Sequence, residues 1–503
     1  GAPAASSADE EGNRIVARKA RIRIPAVAAL VFLTCGSAWA QVGSGRQAAL
    51  ALQKAMVETI ARAEKSVVAI ARVRRQRPNE TFSPEFRPDP FGRRPLSPAA
   101  PQPTDPDFVP NEYGTGVVID RRGLILTAYH VLGEDSDYYV TTAERKVYRA
   151  WIKGADPRSD LAVLAIDADD LVPINFADAS GLKKGQIVMA LGNPYAIARD
   201  GQASASWGIV SNLARKAPPV SGQPGSTGKP TLHHFGTLIQ TDARLNLGTS
   251  GGPLLNLEGR MVGLNVALAA ATGYERAAGY AIAVDETFRR AVETLKQGSE
   301  VEYGFMGIRS ANLSVAEIHG GQHGVRAYRV VRGAPADRFG VKENDIITTV
   351  SGRPIYEIDD FVREVGRLPV EAVARLGIIR KGRPRELDVK LSKYPVRGKK
   401  IITNPVPAWR GMRVDYPTAV IDSDQLSRSI ETFYGEGVII TDVAEDTPAW
   451  KAGLRRGMLV NAVDRTSVRT PRQFLAVVSG KSGSVQVHLL DDQTPLRTVP
   501  PGS

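Results

Sequence analysis

One cysteine, Cys35, occurs in 503 residues. A single thiol cannot close an internal disulfide or build a cysteine-held zinc or iron–sulfur site, so a disulfide-stapled scaffold and such metal centres are excluded. Aromatic residues are scarce at 6 %, and the six histidines are few enough to be taken singly. No GxxxxGK[ST] sequence occurs, which removes a P-loop ATPase part; no cofactor and no metal is expected. Long apolar runs are missing too. Ile24 to Cys35 is shorter than the ~20 residues of a spanning helix, and no other stretch is apolar enough to span.

What is present is ordinary globular composition, 43 % hydrophobic and 23 % charged, with 48 Gly and 33 Pro marking many turns and at least one linker. The length implies roughly three domains of about 100–200 residues. The formal charge of +12 is scattered over every segment, without the stripe or aromatic context of a nucleic-acid surface, so no nucleic-acid partner is expected. Arg14, Arg18, Lys19, Arg21 and Arg23 precede the run from Ile24 to Cys35, and Ala38-Trp39-Ala40 follows. Basic, apolar, then small-x-small is the order of an export leader. Residues 1–40 read as a signal peptide, with an uncleaved anchor as the alternative, and the protein as periplasmic or envelope-located.

Residues 45–64 carry Leu50, Leu52, Met56, Ile60 and Ala63 at near-helical spacing, which predicts an amphipathic helix. Residues 66–73 predict a strand, and the Pro- and Arg-rich residues 76–112 a long loop. From Gly114 to about Val284 the pattern becomes short strands with turn residues between: TGVVI, LILTAYHV, YYVTT, LAVLAI, IVMALG, MVGLNVAL and AGYAIAV. Many short strands without alternating long helices predict a β-sandwich or barrel, closed by a helix over 285–297. The remainder repeats itself at a constant offset of 113 residues: Ala334-Pro335-Ala336 recurs as Thr447-Pro448-Ala449, and Gly340-Val341 as Gly453-Leu454. Each copy has strands, a short Pro-Ala helical turn, and a longer helix at 358–367 or 470–479. The expected division is 41–112 for the N-terminal helix, first strand and loop, 113–300 for the rest of the β domain, and 301–396 and 397–497 for the two copies.

Ser250 lies in Gly248-Thr249-Ser250-Gly251-Gly252. A serine hydroxyl becomes a useful nucleophile only when a base takes its proton and donors receive the developing oxyanion. Flanking glycines let the backbone turn tightly enough for the Gly248 and Ser250 N–H groups to converge, although an ordinary glycine-rich turn would look the same. His130 ends the apolar stretch Leu126–Val131, and Asp160 stands before Leu161–Leu164, where a carboxylate is costly to bury without a partner. Taken alone, each has a bland reading, a core histidine or a turn aspartate. Together they come in the order His…Asp…Ser, each beside strand sequence, as in two-barrel serine proteases.

With GTGVVID at 114–120, TAYHV at 127–131, DPRSDLAVL at 156–164, GNP at 192–194 and QTDARLNLGTSGGPLLN at 240–256, the sequence resembles the HtrA/Deg serine proteases over nearly the whole mature chain. The resemblance implies a mainly β fold: a trypsin-like double β-barrel protease domain followed by two small α+β PDZ domains. It implies His130 as general base, Asp160 as its orienter, Ser250 as nucleophile, and Gly248 and Ser250 N–H groups as the oxyanion hole. It places Leu245 and Leu268 in a specificity pocket suited to small or medium aliphatic side chains. Phe305-Met306-Gly307-Ile308 matches the family's carboxylate-binding loop, and Trp409-Arg410-Gly411-Met412 is its less regular counterpart, where Arg410 offers a positive charge to a carboxylate. Expected partners are unfolded or misfolded polypeptides, C-terminal peptides at the PDZ domains, and further copies of the chain in a homotrimer or larger oligomer, with the N-terminal helix and the 76–112 loop as candidate contacts.

Two positions depart from the family pattern, Thr249 for the usual Asn and Leu247 for the usual Pro; loss of that proline is expected to loosen the oxyanion loop. Thr249 also stands where digestive proteases carry the Asp that receives a new N-terminus, so loop ordering is the expected switch. Arg244, six residues before Ser250, disfavours a cationic side chain at the scissile bond. The expected function is an ATP-independent envelope endopeptidase acting on misfolded proteins, with a chaperone or PDZ scaffold of little proteolytic activity as the alternative.

Overall fold

The computed structural model describes residues 27–75, 112–193, 201–216, 231–266, 278–420, 437–490 and 495–502. Residues 1–26 of the expected leader, residues 76–111 of the Pro-rich segment, Pro194 and Leu268 lie outside them. The first helix, Val27–Ala63, starts well before the predicted 45–64. Among the described residues no helix is long and apolar enough to cross a membrane.

Two β-barrels follow. In the first, β1 (Val67–Arg74), β2 (Glu112–Asp120), β3 (Leu124–Ala128), β4 (Ser136–Thr141), β5 (Val147–Asp156) and β6 (Leu161–Ile166) form an antiparallel sheet in the order β5-β4-β1-β2-β3-β6, closed by pairing of β5 with β6. A two-residue strand, Ile401–Ile402, joins the β5 edge from far along the chain. The second barrel is closed in the order β10-β11-β12-β9-β8-β7, from β7 (Ile187–Gly192), β8 (Ser204–Arg215), β9 (Leu238–Thr241), β10 (Pro253–Leu255), β11 (Met261–Val266) and β12 (Gly279–Ala283). Apolar residues fill both barrels, among them Ile70, Val117, Leu126 and Leu164 in the first, and Val188, Val210, Leu254 and Ala281 in the second.

The closing helix spans Glu286–Lys296 and begins at Asp285, whose side chain accepts the Phe288 N–H (2.9 Å), an N-cap that satisfies an otherwise orphan donor. Beyond it lie two five-strand antiparallel ladders of the same order, one running from Ile308–Asn312 to Arg383–Lys390 and the other from Met412–Asp415 to Leu496–Val499. Each packs one longer helix on its core, Ile358–Arg367 through Phe361 and Pro471–Val478 through Phe474. The mainly β expectation, with a trypsin-like double barrel ahead of a PDZ domain, holds.

Candidate active site

Strand β3 stops at Ala128, and Tyr129–Val131 forms a single 3-10 turn instead of the strand expected to reach Val131. The cause is Asp160. Its carbonyl accepts the Tyr129 N–H (2.9 Å) and its Oδ1 accepts the His130 N–H (3.0 Å), which draws the backbone out of the ladder. The His130 ring then sets Nδ1 2.8 Å from Asp160 Oδ2. The imidazole stays 37 % exposed while the carboxylate is 7 % exposed. Burial acts to lower the His130 pKa, but the charge and hydrogen bond of Asp160 outweigh it and raise the group above the ordinary histidine value. Burial acts to raise Asp160, and the two imidazoles, His130 first, bring it below the ordinary carboxylate value. The second imidazole is His233, with Nε2 3.8 Å from the same Oδ2.

Asp160 sits at φ +56°, a left-handed conformation that aspartate accepts more readily than most residues. The turn that places it there is held by Asp156, whose Oδ2 accepts the Ser159 N–H (2.9 Å), the Ser159 hydroxyl (2.6 Å) and the Tyr303 hydroxyl. Burial raises the Asp156 carboxyl, and these donors offset part of the rise. Buried Arg158 lays its guanidinium 3.6 Å from the Tyr394 ring centroid and 5.3 Å from that of Tyr303. Such cation–π contact is strongest where water is excluded. Asp156, Arg158 and Tyr303 were not singled out in the sequence; the DPRSD run was the available signal for the first two.

The turn carrying Ser250 depends on two glycines. Gly248 has φ +92° and Gly251 φ +88°. A Cβ on Gly248 would lie 2.6 Å from the Asn193 carbonyl oxygen, and one on Gly251 2.1 Å from that of Thr115, so neither tolerates a side chain. The Thr115 N–H donates to the Ser250 carbonyl (2.9 Å), and the Thr115 carbonyl accepts the Thr127 hydroxyl (2.7 Å). These bonds seat the buried Ser250 turn on β2, against the strand that ends just before His130. Thr249 answers the missing proline: its N–H (3.1 Å) and its hydroxyl (2.7 Å) both donate to the Asn246 carbonyl and close the loop across exposed Leu247. Leu245 packs on Gly279, where an added Cβ would meet its Cγ at 2.9 Å. Arg244 is exposed, and its carbonyl accepts the Ser206 hydroxyl (2.8 Å).

The two repeat loops differ. In the first, Met306 is buried with its carbonyl bonded to the Ala336 N–H, Gly307 has φ +81°, and Ile308 opens an edge strand. Phe305 sets its ring edge-on to Tyr394, 6.2 Å between centroids. In the second, Trp409 and Met412 exchange both backbone hydrogen bonds across Arg410 (φ +50°) and Gly411 (φ +89°), so the Met412 N–H is already occupied. Arg410 donates to the carbonyls of Lys481, Gly483, Val499 and Pro500, which commits its charge to the fold.

Two barrels with a buried aspartate hydrogen-bonded to an exposed histidine, and a glycine-bounded serine turn on the neighbouring strand, define a serine protease of the trypsin type. Residues 114–264 match the trypsin-like peptidase domain family and residues 304–391 the PDZ domain family. A probable periplasmic DegP-like serine endoprotease of Pseudomonas fulva is 30 % identical over 392 residues, spanning 75 % of this chain and 76 % of its own length. The periplasmic pH-dependent serine endoprotease DegQ of Escherichia coli is 29 % identical over 385 residues, 75 % of this chain and 78 % of its own. In fold, the chain is similar to a solved HtrA-type protease, AlgW with a tripeptide, with TM-score 0.50, 23 % identity, and coverage of 67 % of this chain and 97 % of that one. The chain belongs to the HtrA/Deg family of serine endoproteases. It is accordingly an endopeptidase, and the relatives' periplasmic location supports a periplasmic or envelope location here.

Proposed function

We propose that the chain cuts unfolded or misfolded envelope polypeptides through an acyl-enzyme formed on Ser250. His130 Nε2 takes the Ser250 hydroxyl proton as Oγ attacks the peptide carbonyl carbon. The Gly248 and Ser250 N–H groups receive the oxyanion, and His130 returns the proton to the departing amine. Water then repeats the sequence on the ester. Asp160 keeps Nδ1 protonated, which leaves Nε2 as the accepting atom. The observation that carries this reading is the 2.8 Å His130–Asp160 pair beside the turn that Thr115 fastens to β2. Leu245, with Leu268, is the proposed wall for an apolar side chain before the scissile bond.

Two further parts belong to the same reading. Residues 305–308 take the C-terminus of a peptide as an added strand. The helix beside that edge, Ile358–Arg367, is braced on the protease: Arg363 reaches the Phe235 carbonyl (3.5 Å), and Asp359 pairs with Lys216 (2.6 Å). A ligand there acts close to His233 and Asp160. Export through the 1–40 leader and assembly as a homotrimer or larger oligomer complete the proposal. Digestion of β-casein by the wild type and Ser250→Ala tests its centre, with loss of roughly 10⁶-fold in turnover expected. More than a few per cent activity in a folded, purified variant would remove Ser250 from its role.

A further inference from the structure

We propose that Thr115 is the positioning residue of the oxyanion loop, a role that rests on Ser250 being the nucleophile. Thr115 is fully buried in β2 and makes four hydrogen bonds. Its N–H donates to the Ser250 carbonyl (2.9 Å) and its hydroxyl to the Gly248 carbonyl (2.6 Å). That hydroxyl also accepts the Asn193 N–H (2.8 Å), and the Thr115 carbonyl accepts the Thr127 hydroxyl (2.7 Å). One residue thus grips the carbonyl of each of the two residues whose N–H groups form the oxyanion hole.

The direction of the bonds is fixed. A hydroxyl has one proton, and because Asn193 approaches with its N–H, the Thr115 proton goes to the Gly248 carbonyl. Gly248 is the place where such a pin matters. At φ +92° and without a Cβ, its backbone has no intrinsic preference that would hold its N–H towards a substrate. Its carbonyl and its N–H belong to the two peptide planes that meet at Cα, so anchoring the first leaves only φ and ψ of Gly248 between the pin and the N–H. The same hydroxyl joins β2 of the first barrel to Asn193 at the end of β7 in the second, so the loop is referenced to both barrels. The neighbours leave little slack: a Cβ on Gly114 would meet Val131 at 2.6 Å, and one on Gly116 would meet Ile125 at 2.5 Å.

Thr115→Val keeps the shape and removes the hydroxyl; Thr115→Ser keeps the hydroxyl. The full chain of each is assayed on a fluorogenic peptide with an apolar residue before the cleaved bond, against a peptidyl boronate that forms a tetrahedral adduct. Circular dichroism confirms folding. The valine variant is expected to lose roughly 10- to 100-fold in kcat, less than the 10²–10³ for deleting a donor that touches the oxyanion. Its KM should stay within about threefold, boronate affinity should fall in parallel with kcat, and serine should restore most of both. A folded valine variant with kcat within about threefold of wild type would overturn the proposal. So would a loss confined to KM, or a serine variant as slow as the valine one. Cleavage by a parallel Ser250→Ala preparation would instead overturn the nucleophile assignment, and this role with it.

Discussion

Asp160→Asn is the most informative single change, because the geometry leaves the amide no good orientation. The carboxylate accepts from the His130 N–H through Oδ1 (3.0 Å) and from His130 Nδ1 through Oδ2 (2.8 Å). An amide offers one acceptor. If its oxygen faces Nδ1, its NH₂ meets the His130 N–H, donor against donor. If its NH₂ faces Nδ1, the ring must carry its proton on Nε2 and can no longer take one from serine. Asparagine accepts the φ +56° backbone as well as aspartate does, so a loss cannot be assigned to strain. In the trypsin system the equivalent change costs about 10⁴ in kcat, roughly 5.4 kcal/mol, and a fall of about 10³–10⁴ is expected here.

The pH profile carries a second signature of the same change. The wild-type acid limb, where neutral His130 appears, should have its midpoint above the ordinary ~6.5, because Asp160 outweighs burial. Removing the charge leaves burial, which lowers the imidazole, so the variant's midpoint should move below that value. Stability changes with it. A raised histidine contributes stabilisation that is full below ~6.5 and disappears as pH rises through the folded pKa, and this increment should vanish in the variant. Initial rates on a fluorogenic peptide from pH 5 to 9 read the first effect, and urea unfolding across the same range reads the second. A folded variant within about tenfold of wild type, or an unmoved acid limb, would refute the role given to Asp160.

Gly248→Ala should lower kcat roughly 10²–10³-fold at nearly constant KM, since its methyl would lie 2.6 Å from the Asn193 carbonyl oxygen and the donor must move; steady-state kinetics check it. Tyr303→Phe removes a hydroxyl from the buried Asp156 carboxyl and should cost about 1–3 kcal/mol of stability, read as a lower denaturant midpoint at unchanged m-value. Peptides with a free apolar C-terminus should stimulate cleavage through residues 305–308, whereas their C-terminal amides should not; equal stimulation by both would discard the carboxylate contact.

Legibility in the sequence followed burial. β6 and β11 are buried at all six positions; β6 is apolar throughout and β11 at all but Gly263 and Asn265, which makes both legible as strands. β5 and β8 passed unnoticed because they mix charge and exposed aromatics, Trp151 with Lys153 in one and Trp207 with Arg215 in the other. The helix after Thr470 was readable from its cap, with the Thr470 hydroxyl accepting the Gln473 N–H and proline next in line. His130 and Asp160 lie thirty residues apart in recognisable runs, and the structure brings them into contact. What secures them was not legible, because Tyr303 reaches Asp156 across 147 residues and Thr115 reaches Gly248 across 133. No local pattern marks a side chain whose partner is chosen by the closed fold.

The strand Ile401–Ile402 on the β5 edge, together with Tyr394 over Arg158, sets an order of events for a chain made from its N-terminus. When the Asp156–Asp160 turn emerges, the surfaces that cover it have not been synthesised. At about 5–20 residues per second, Ile402 follows Asp160 by roughly 10–50 s. For roughly the second half of that interval, once Ala283 has been made, both barrels are complete in sequence, yet the Asp160 turn lacks its packing and β5 has an open edge. The support of the Asp160 turn thus comes from segments beyond both barrels, Tyr394 and Ile401–Ile402, and a chain ending at Gly298 would carry His130, Asp160 and Ser250 without it.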